Sequence, residues 1–522
     1  MTTTLLPGLT LTVAPPAADP QALRTDVAAV LGRTTRGPVG VPLRLESWND
    51  VLYFCGPPDG RSATPYALRG FFENGGRTVW LIRVAGSGEA ATATWTVGEL
   101  RDGVWGPGAP ARGGFASARY QVVATSAGGW ANNTRVSIRF RASSVAGPPT
   151  VSVRVSAPGE PVESFADVPP AEVADRLSAS RLVRLVPQGP AVPPSATTPT
   201  GPLALEWEVV LGAGPGGRRG TDGPPGQADY AAAIEAQANL PEPALVALPD
   251  LGVDLTGTQW SDTVLALLGT VAPLHDRLVV LDLPADPSAE AALARVDRLT
   301  ASGDDGLLRA AAVYHPHLMV PDPFGGPGEP LRTVPASGHV LGLIARLDAE
   351  RGAHHAPANA VLLDADDLDP HLPEPQQVRL FEAGVNLLRC APGQGLRVWG
   401  GRTLAGSPGA RFVAHRRLVH QLVRAIRRVA DPLVFDVNGP ELRLALVRGI
   451  TSVLLAAFRA GALGGTRAEQ AFRVTCDDGN NPPGQDPGLV VCDIEVAPAN
   501  PMEFIELRLV LGQDRGLEVI EA

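Results

Sequence analysis

Between residues 228 and about 400, short apolar runs alternate with longer segments of helical periodicity. The apolar runs cover residues 244–248, 277–283, 310–314 and 395–398. Strands that are apolar on both faces and separated by helices are typical of a parallel or mixed sheet covered by helices. Residues 23–85 have the same character, with predicted strands near 26–32 and 78–84 and predicted helices at 47–54 and 66–74. We therefore predict the α/β (α+β) class, with a mixed sheet core that is covered by helices and built from two separate segments of the chain.

The stretch between these two segments, residues 86–226, has a different texture. Short alternating runs at 134–140 and 150–155 lie between clusters of Gly, Pro and Ser. Alternation of polar and apolar residues predicts half-buried strands. With one helix expected near 170–178, this stretch is predicted to be a β-rich outer domain inserted into the core.

The C-terminal end of the chain combines two long helices with a run of strands. The helices are predicted near 413–429 and 440–462, and the strands near 471–475, 488–495 and 503–511. The resulting division of the chain is an N-terminal arm (1–22), a first core segment (23–85), the inserted domain (86–226), a second core segment (227–409), a C-terminal domain (410–511) and a C-terminal arm (512–522).

The chain begins and ends in a short alternating stretch that the sequence separates from the rest. Apolar residues alternate with other residues before Pro15 and Pro16, and again after the glycines at 512 and 516; the apolar residues are Leu9, Leu11, Val13, Leu517, Val519 and Ile520. We predict two detached β arms that add to the sheet of neighbouring copies, beside the strands near 488–495 and 503–511. Each backbone hydrogen bond gained in this way contributes about 0.5–1.5 kcal/mol. Disorder of both tails in the isolated chain is the alternative, and it is compatible with pairing after assembly.

Composition excludes several functions. A net charge of −10 argues against a general nucleic-acid binder. All 44 basic residues are Arg, and a chain without Lys supports neither a Walker P-loop nor Schiff-base chemistry. The sequence has no run of 18 apolar residues that would predict a membrane span, and the N-terminus has no signal-peptide pattern, so cytoplasmic synthesis is expected.

The cysteines are too few and too scattered for a disulfide framework. They are Cys55, Cys390, Cys476 and Cys492. A bridge between Cys476 and Cys492 is conceivable, but we expect reduced thiols.

Motifs for catalysis or cofactor binding are weak. The glycines at 212–217 match G-x-G-x-x-G, but no helix is predicted before about residue 228, so a loop is favoured over a dinucleotide site. Two histidine pairs, 315/317 and 354/355, lack the further ligands that zinc needs. The acidic run at 364–369 is expected to be a solvated turn or an interface patch. We predict no catalytic residue, no cofactor and no metal.

Residues 412–429 form a predicted amphipathic helix. Leu418, Leu422, Ile426 and Val429 fall on one stripe. The arginines that lie away from this stripe are Arg416, Arg417, Arg424, Arg427 and Arg428. Such a face is either solvated or directed at an acidic protein partner.

Several segments, in order along the chain, resemble the motifs of contractile tail sheath proteins of phage tails, R-type pyocins and extracellular contractile injection systems. They include YALRGFFENGGRTVWLIRV at 66–84, VPASGHVLGLIARLD at 334–348, GALGG at 461–465, AFRVTCD at 471–477 and VAPANPMEF at 496–504. The resemblance covers residues 23–84 and 228–522. One departure is FDVN at 435–438, where the family tends to have Phe-Glu-Pro-Asn.

The resemblance implies a structural subunit, not an enzyme, that polymerises into stacked rings around an inner tube and contracts to drive the tube through a target envelope. The implied partners are further copies of the chain, the tube protein, and baseplate and cap proteins, with no nucleic acid and no membrane insertion. Assembly in the cytoplasm as part of a phage-tail-like particle is expected, and release from the cell stays open. The C-terminal domain would lie nearest the tube, and the candidate tube-facing residues are Arg416, Arg417, Arg424, Arg427, Arg428, Leu463 and Arg467. Two alternatives stay open: an α/β enzyme with an unrecognised site, and a specialised sheath paralogue next to the cap or baseplate.

Overall fold

The computed structural model describes residues 24–97, 100–101, 104–105, 118–142, 150–169, 172–188, 203–213, 216–285, 288–322, 325, 328, 330–391, 393, 395–434, 436–486, 488–499, 505–512 and 516–521. The first elements are β1 (Ala28–Gly32), β2 (Leu43–Leu45), α1 (Trp48–Cys55), α2 (Thr64–Glu73) and β3 (Val79–Arg83). Helix α1 begins after Ser47, whose hydroxyl accepts a hydrogen bond from the Asp50 N–H at 3.2 Å, and such a cap satisfies an otherwise unpaired donor.

In the part of the inserted segment that the structure describes, antiparallel β structure predominates. Its elements are β4 (Thr92–Val97), β5 (Leu100–Arg101), β6 (Val104–Trp105), β7 (Ala118–Ala124), β8 (Arg135–Ala142), β9 (Thr150–Ser156), β10 (Glu163–Val168), α3 (Val173–Leu177), β11 (Val183–Pro187) and β12 (Leu203–Val210). The larger sheets have the orders β10-β9-β8-β12 and β11-β7-β4. They enclose a hydrophobic cluster of their own that contains Val136, Ile138 and Val153.

The second core segment continues the alternation of helices and strands. Its elements are α4 (Gln227–Ala238), β13 (Leu245–Ala247), α5 (Leu251–Asp254), α6 (Thr258–Val271), β14 (Leu278–Asp282), α7 (Ala289–Ser302), α8 (Asp305–Leu308), β15 (Ala311–His315), β16 (His317–Pro321), β17 (Leu331–Val334), α9 (Ser337–Arg351), β18 (Asp367–Asp369), α10 (Glu374–Glu382), β19 (Asn386–Ala391) and β20 (Gly395–Trp399). Strands β17, β16 and β18 form a small separate sheet in that order.

The two core segments share one sheet. The described residues form an eight-stranded sheet with the order β2-β3-β1-β13-β14-β15-β19-β20. Its inner strands are parallel, and β2 and β20 pair antiparallel at the edges. Helices α4, α6, α7 and α10 cover one face and α1, α2 and α9 the other. The predicted mixed sheet covered by helices is confirmed.

Helices α2 and α9 approach each other closely through two glycines of α9. A Cβ added at Gly338 would lie 2.2 Å from the Ala67 carbonyl oxygen, and one added at Gly342 would lie 2.2 Å from that of Phe71. Any larger side chain would push the two helices apart. The Gly-x-x-x-Gly spacing therefore fixes this layer of the core.

The C-terminal region contains α11 (Val413–Ala430), α12 (Pro440–Arg459), α13 (Ala468–Ala471), β21 (Phe472–Thr475), β22 (Leu489–Val496), β23 (Ile505–Gly512) and β24 (Gly516–Glu521). The strands form one antiparallel sheet in chain order, β21-β22-β23-β24. The two long helices and this sheet enclose a further hydrophobic cluster that includes Leu422, Leu446 and Ile494. The predicted domain boundaries stay a prediction, with which these separate clusters are compatible.

Candidate assembly interface

Helix α11 buries the arginine face that the sequence predicted to point outward. Arg416 and Arg417 are each 1% exposed. The opposite, apolar stripe of the helix, with Leu418, Leu422 and Ile426, packs in the C-terminal hydrophobic cluster. Both faces of α11 are therefore covered within one chain.

Arg417 joins the C-terminal region to the large sheet. Its guanidinium donates to the backbone oxygens of Ala244 at 3.0 Å and Thr25 at 2.7 Å, and it forms an ion pair with Asp348 of α9. Thr25 and Ala244 precede β1 and β13, so α11 lies across the amino-terminal ends of the parallel strands. The planar guanidinium, with five donors, reaches three acceptors at once, which a Lys ammonium on a flexible stem does less well.

Two further arginines continue this row of contacts along α11. Arg424 donates to the carbonyl oxygens of Glu242 at 2.6 Å and Pro243 at 3.1 Å. Arg427 pairs with Asp276 at 3.2 Å and donates to the Leu274 oxygen at 2.5 Å. The acceptors again lie in the segments that lead into β13 and β14, so the helix follows the edge of the sheet.

The contact between α11 and the amino-terminal ends of the strands, called the seam below, is buried, and burial shifts the pKa values of its charged groups. Burial lowers the pKa of Arg424 to about 10, with Asp276 opposing the shift. Burial also raises the pKa of Asp348, and Arg417 opposes that shift. His420 lies at the same seam, and burial together with Arg416 and Arg417 lowers its pKa well below 6.5. These groups stabilise a fixed contact and present little charge to the outside.

The prediction of a partner-facing arginine surface is therefore corrected for Arg416, Arg417, Arg424 and Arg427. The first two are buried, and the guanidinium groups of Arg417, Arg424 and Arg427 bind inside the chain. The physical reason is that the backbone carbonyl groups in the segments before the strands accept hydrogen bonds from these guanidinium groups inside the chain. Arg428 is exposed.

The turn around residues 461–467 has an inner and an outer side. Leu463 is 4% exposed and bridges to Pro498, so it belongs to the C-terminal core and is corrected as a tube-facing candidate. Gly464 donates its N–H to the Ala497 oxygen at 2.8 Å, which ties the turn to the end of β22. Arg467 is exposed, directly before α13.

The C-terminal arm is a strand, as predicted, but it is not detached. Strand β24 pairs antiparallel with β23 of its own chain, with Leu517 opposite Leu511, Val519 opposite Leu509 and Ile520 opposite Arg508. An edge strand offers a row of unpaired backbone groups, and the nearest strand that can satisfy them in a single chain is its own continuation. The N-terminal arm, with Leu9, Leu11 and Val13, lies outside the described residues.

Two of the weak catalytic motifs can be located in the structure. His315 and His317 are buried in the core, and the His317 Nε2 lies 2.9 Å from the Leu283 oxygen. After the glycine-rich stretch at 212–217, the next helix begins at Gln227. Within the described ranges, no group of His, Cys, Asp and Glu side chains is arranged to hold a metal ion. No helix in the described part of the chain is long and apolar enough to cross a membrane.

Sequence reasoning missed the acceptors of the arginine row. Asp348 lies near the end of α9, and Asp276 lies two residues before the start of β14. A signal was available, since an acid next to an apolar strand or late in an apolar helix has few ways to be buried unless it is paired. Local sequence does not show which arginine such an acid pairs with, because Arg417 and Asp348 are 69 residues apart.

Residues 223–404 match the family model of the phage tail sheath protein central domain. The whole chain is similar in fold to the sheath tail protein from Desulfitobacterium hafniense (14% identity, 97% of this chain and 100% of that one, TM-score 0.61). It is also similar to the sheath tail protein from Listeria innocua (12%, 94% and 95%, 0.62). A third match is the anti-feeding prophage helical sheath in its contracted state (20%, 96% and 98%, 0.54). No curated protein matches the chain.

The matched central domain falls on the second core segment, and the shared fold extends over almost the whole length of the chain. Together they show a sheath-type central domain at residues 223–404 and a fold that this chain shares with solved sheath proteins.

Proposed function

We propose that this chain is the structural subunit of a contractile sheath, which polymerises around an inner tube and contracts to drive the tube through a target envelope. The observation that carries the proposal is the sheath central domain at residues 223–404 within a fold shared end to end with sheath proteins. Its partners would be further copies of the chain, the tube protein, and baseplate and cap proteins. The particle would be phage-tail-like and assembled in the cytoplasm.

Strand β24 is the element best suited to join copies. Among the described residues it lies at the edge of its sheet, and only three residues separate it from β23. Exchange of this strand between identical copies would replace each hydrogen bond with an equivalent one, so the gain on assembly would come from new contacts around it. The N-terminal arm would add to the same sheet of a neighbour.

The alternative of an α/β enzyme would need a cleft with converging polar groups whose pKa values are shifted. The buried acids and arginines described above are instead paired at the contact between α11 and the sheet. A specialised paralogue next to the cap or baseplate is the second alternative, and it differs only in how many copies assemble.

Negative-stain microscopy of the purified chain tests the proposal directly. We expect tubes or rings from the full chain and separate particles after deletion of residues 516–522. An unchanged unfolding midpoint in the deleted chain would show that folding is intact. Compact particles from the full chain under all conditions would favour the enzyme alternative.

Crosslinking tests strand exchange itself. The double variant Leu511→Cys and Leu517→Cys places thiols at opposed positions of β23 and β24. Oxidation of free subunits should link each chain to itself, whereas oxidation of the assembled form should give a ladder of covalent oligomers. The single variant Leu511→Cys is the matched control and should give no ladder. Intrachain links alone in assembled tubes would exclude exchange.

Arg467 and Arg428 remain the candidates for contact with the tube, because both are exposed in the C-terminal region. The double variant Arg428→Gln and Arg467→Gln should lower co-assembly with the tube protein and leave the fold unchanged. Normal co-assembly would remove both from the candidates.

A further inference from the structure

Cys476 and Cys492 lie opposite each other in the C-terminal sheet. In the ladder between β21 and β22, Phe472 pairs with Val496 and Thr475 with Asp493, without a register shift. One step further along the same register, Cys476 faces Cys492. Two residues that are 16 positions apart in sequence thus become direct neighbours across two strands.

The position is one at which a disulfide can form. The Ala497 N–H donates to the Ala471 oxygen at 2.8 Å, which makes this pair hydrogen-bonded, and hydrogen-bonded pairs alternate along an antiparallel ladder. Counting from Ala471, the pair at 476 and 492 is a non-hydrogen-bonded one. Such pairs bring Cα atoms to about 4.5 Å, inside the range of about 4.4–6.8 Å that disulfides span.

The residues next to the two cysteines hold their backbone in place. The Asn480 side chain donates to the Thr475 oxygen at 2.7 Å. The Asn481 side chain donates to the Val491 oxygen at 2.8 Å and accepts from the Val491 N–H at 2.7 Å. These contacts keep the facing strands together beyond the end of β21.

The two thiols differ in environment. Cys492 is fully buried, whereas Cys476 is half-buried. The hydrogen bond to Cys492 and the nearby Arg443 guanidinium lower the pKa of Cys476, while the same hydrogen bond and burial raise the pKa of Cys492. Cys476 is therefore the accessible and more nucleophilic thiol, and Cys492 is the buried thiol that would react second.

We propose that Cys476 and Cys492 form a reversible disulfide that covalently joins β21 to β22 when the protein meets a small-molecule disulfide. In the first step the Cys476 thiolate attacks one sulfur of the oxidant, and one thiolate leaves. In the second step Cys492 loses its proton and attacks the Cys476 sulfur of the mixed disulfide, and the second thiolate leaves. The two protein thiols are oxidised, and the oxidant is reduced to two thiols.

The disulfide would fix one edge of the C-terminal sheet. Strand β21 is one edge strand, and β24, the strand proposed to exchange, is the other. A bond between β21 and β22 would therefore stabilise the C-terminal sheet without blocking its exchangeable edge. The two remaining cysteines do not share this arrangement, since Cys390 faces Leu396 and Cys55 is buried in α1.

The test is to incubate the full chain with glutathione disulfide and to map the products by mass spectrometry. We expect the loss of two hydrogens, a linked pair of peptides that contain Cys476 and Cys492, and a higher unfolding midpoint that reductant reverses. In Cys492→Ser a glutathione adduct should persist on Cys476, and the midpoint should not rise. Cys390→Ser is the matched control and should form the bridge normally.

Two results would overturn the proposal. One is a stable glutathione adduct on Cys476 in the unchanged chain. It would mean that Cys492 cannot reach the Cys476 sulfur of the mixed disulfide. The other is a linkage that maps to Cys390 or Cys55 instead. Because Cys492 is buried, Cys476→Ser provides a second variant, and it should lose both the adduct and the bridge while keeping its unfolding midpoint in reductant.

Discussion

Helices α11 and α12 are neighbours of similar length in the C-terminal region, yet the fold treats them in opposite ways. Of the 18 residues of α11, eleven are buried, including Arg416, Arg417 and His420. Of the 20 residues of α12, only four are buried, all on one apolar stripe. The more polar helix is the more deeply buried one. Burial here is decided by the availability of partners, because the ends of a parallel sheet supply carbonyl groups that arginines can satisfy.

The difference in burial also means that the polar surfaces of α11 and α12 have different roles. The arginine face of α11 fixes the C-terminal region to the α/β core, whereas α12 leaves Leu444 and Arg448 exposed. If the C-terminal region moves during contraction, the α11 contact implies that it moves together with the sheet below it. Four experiments test this contrast.

The largest effect is expected from Arg417→Met. It leaves Asp348 buried without its counter-ion and removes the donor to the Thr25 oxygen, which costs about 3–5 kcal/mol of unfolding free energy. Urea unfolding measures the loss. Arg448→Met on the exposed face of α12 is the matched control and should stay within about 0.5 kcal/mol. Adding Asp348→Leu to Arg417→Met should restore part of the loss, and a cost below about 1 kcal/mol for Arg417→Met alone would contradict the role given to this contact.

Acid should weaken the seam through His420. Its pKa in the folded chain lies well below 6.5, so below pH 6.5 the unfolded chain binds a proton that the folded chain does not. The free energy of unfolding should therefore fall as the pH drops below 6.5, by up to about 1.4 kcal/mol per pH unit for this group. His339, with its pKa lowered to about 4 by burial, adds a slope of the same sign.

The contribution of His420 is obtained by comparing the unchanged chain with His420→Leu between pH 7 and 5. The variant should show a shallower decline, whereas Leu444→Gln on the exposed face of α12 should leave the slope as it is. Identical slopes for all three chains would mean that His420 becomes protonated without cost inside the fold.

A smaller effect is expected where α11 and α12 touch. A Cβ added at Gly449 of α12 would lie 2.4 Å from Cγ1 of Val429 of α11. Overpacking costs about 1–3 kcal/mol, while Ala in place of Gly returns about 1 kcal/mol of helix propensity. Gly449→Ala should therefore lower the unfolding free energy by about 1 kcal/mol. The double variant with Val429→Ala should be more stable than additivity predicts, and strict additivity would show that the helices do not meet there.

The smallest effect is expected on the outer face of α12. Leu444 is 48% exposed, and Leu444→Gln should change the unfolding free energy by no more than about 0.5 kcal/mol. Leu446, two positions along, is fully buried, and Leu446→Ala should cost about 2–5 kcal/mol. A large cost at Leu444 would show that this face is covered within the chain, as that of α11 is.

Much of the architecture follows from local sequence patterns. The apolar runs at 244–248, 277–283 and 310–314 became β13, β14 and β15 of the large sheet, and the alternating runs at 134–140 and 150–155 became β8 and β9 of the insertion. These predictions succeed because periodicity reports which faces of an element are apolar. The same rule also gave the long helices α11 and α12 within a few residues.

What periodicity cannot give is the partner of a polar face. Five arginines beside one apolar stripe in α11 are equally compatible with solvent, with another protein, and with the ends of a sheet. In the same way, alternation at residues 517–521 specifies a strand but not whose edge it joins. In a single chain, β24 pairs with β23 because that is the nearest strand. Whether it pairs with another copy depends on how many copies lie nearby, which the sequence of one chain does not specify.

The sequence by itself therefore determined the elements of this protein, the mixed sheet, and the ordered motifs that resemble sheath proteins, because each depends on residues close together in the chain. Only the tertiary structure decided that Arg417 meets Asp348, that α11 closes the amino-terminal edge of the sheet, and that Cys476 faces Cys492. The first two contacts join segments far apart in sequence and are set by the packing of the whole molecule, whereas the cysteine pair depends on the register between β21 and β22.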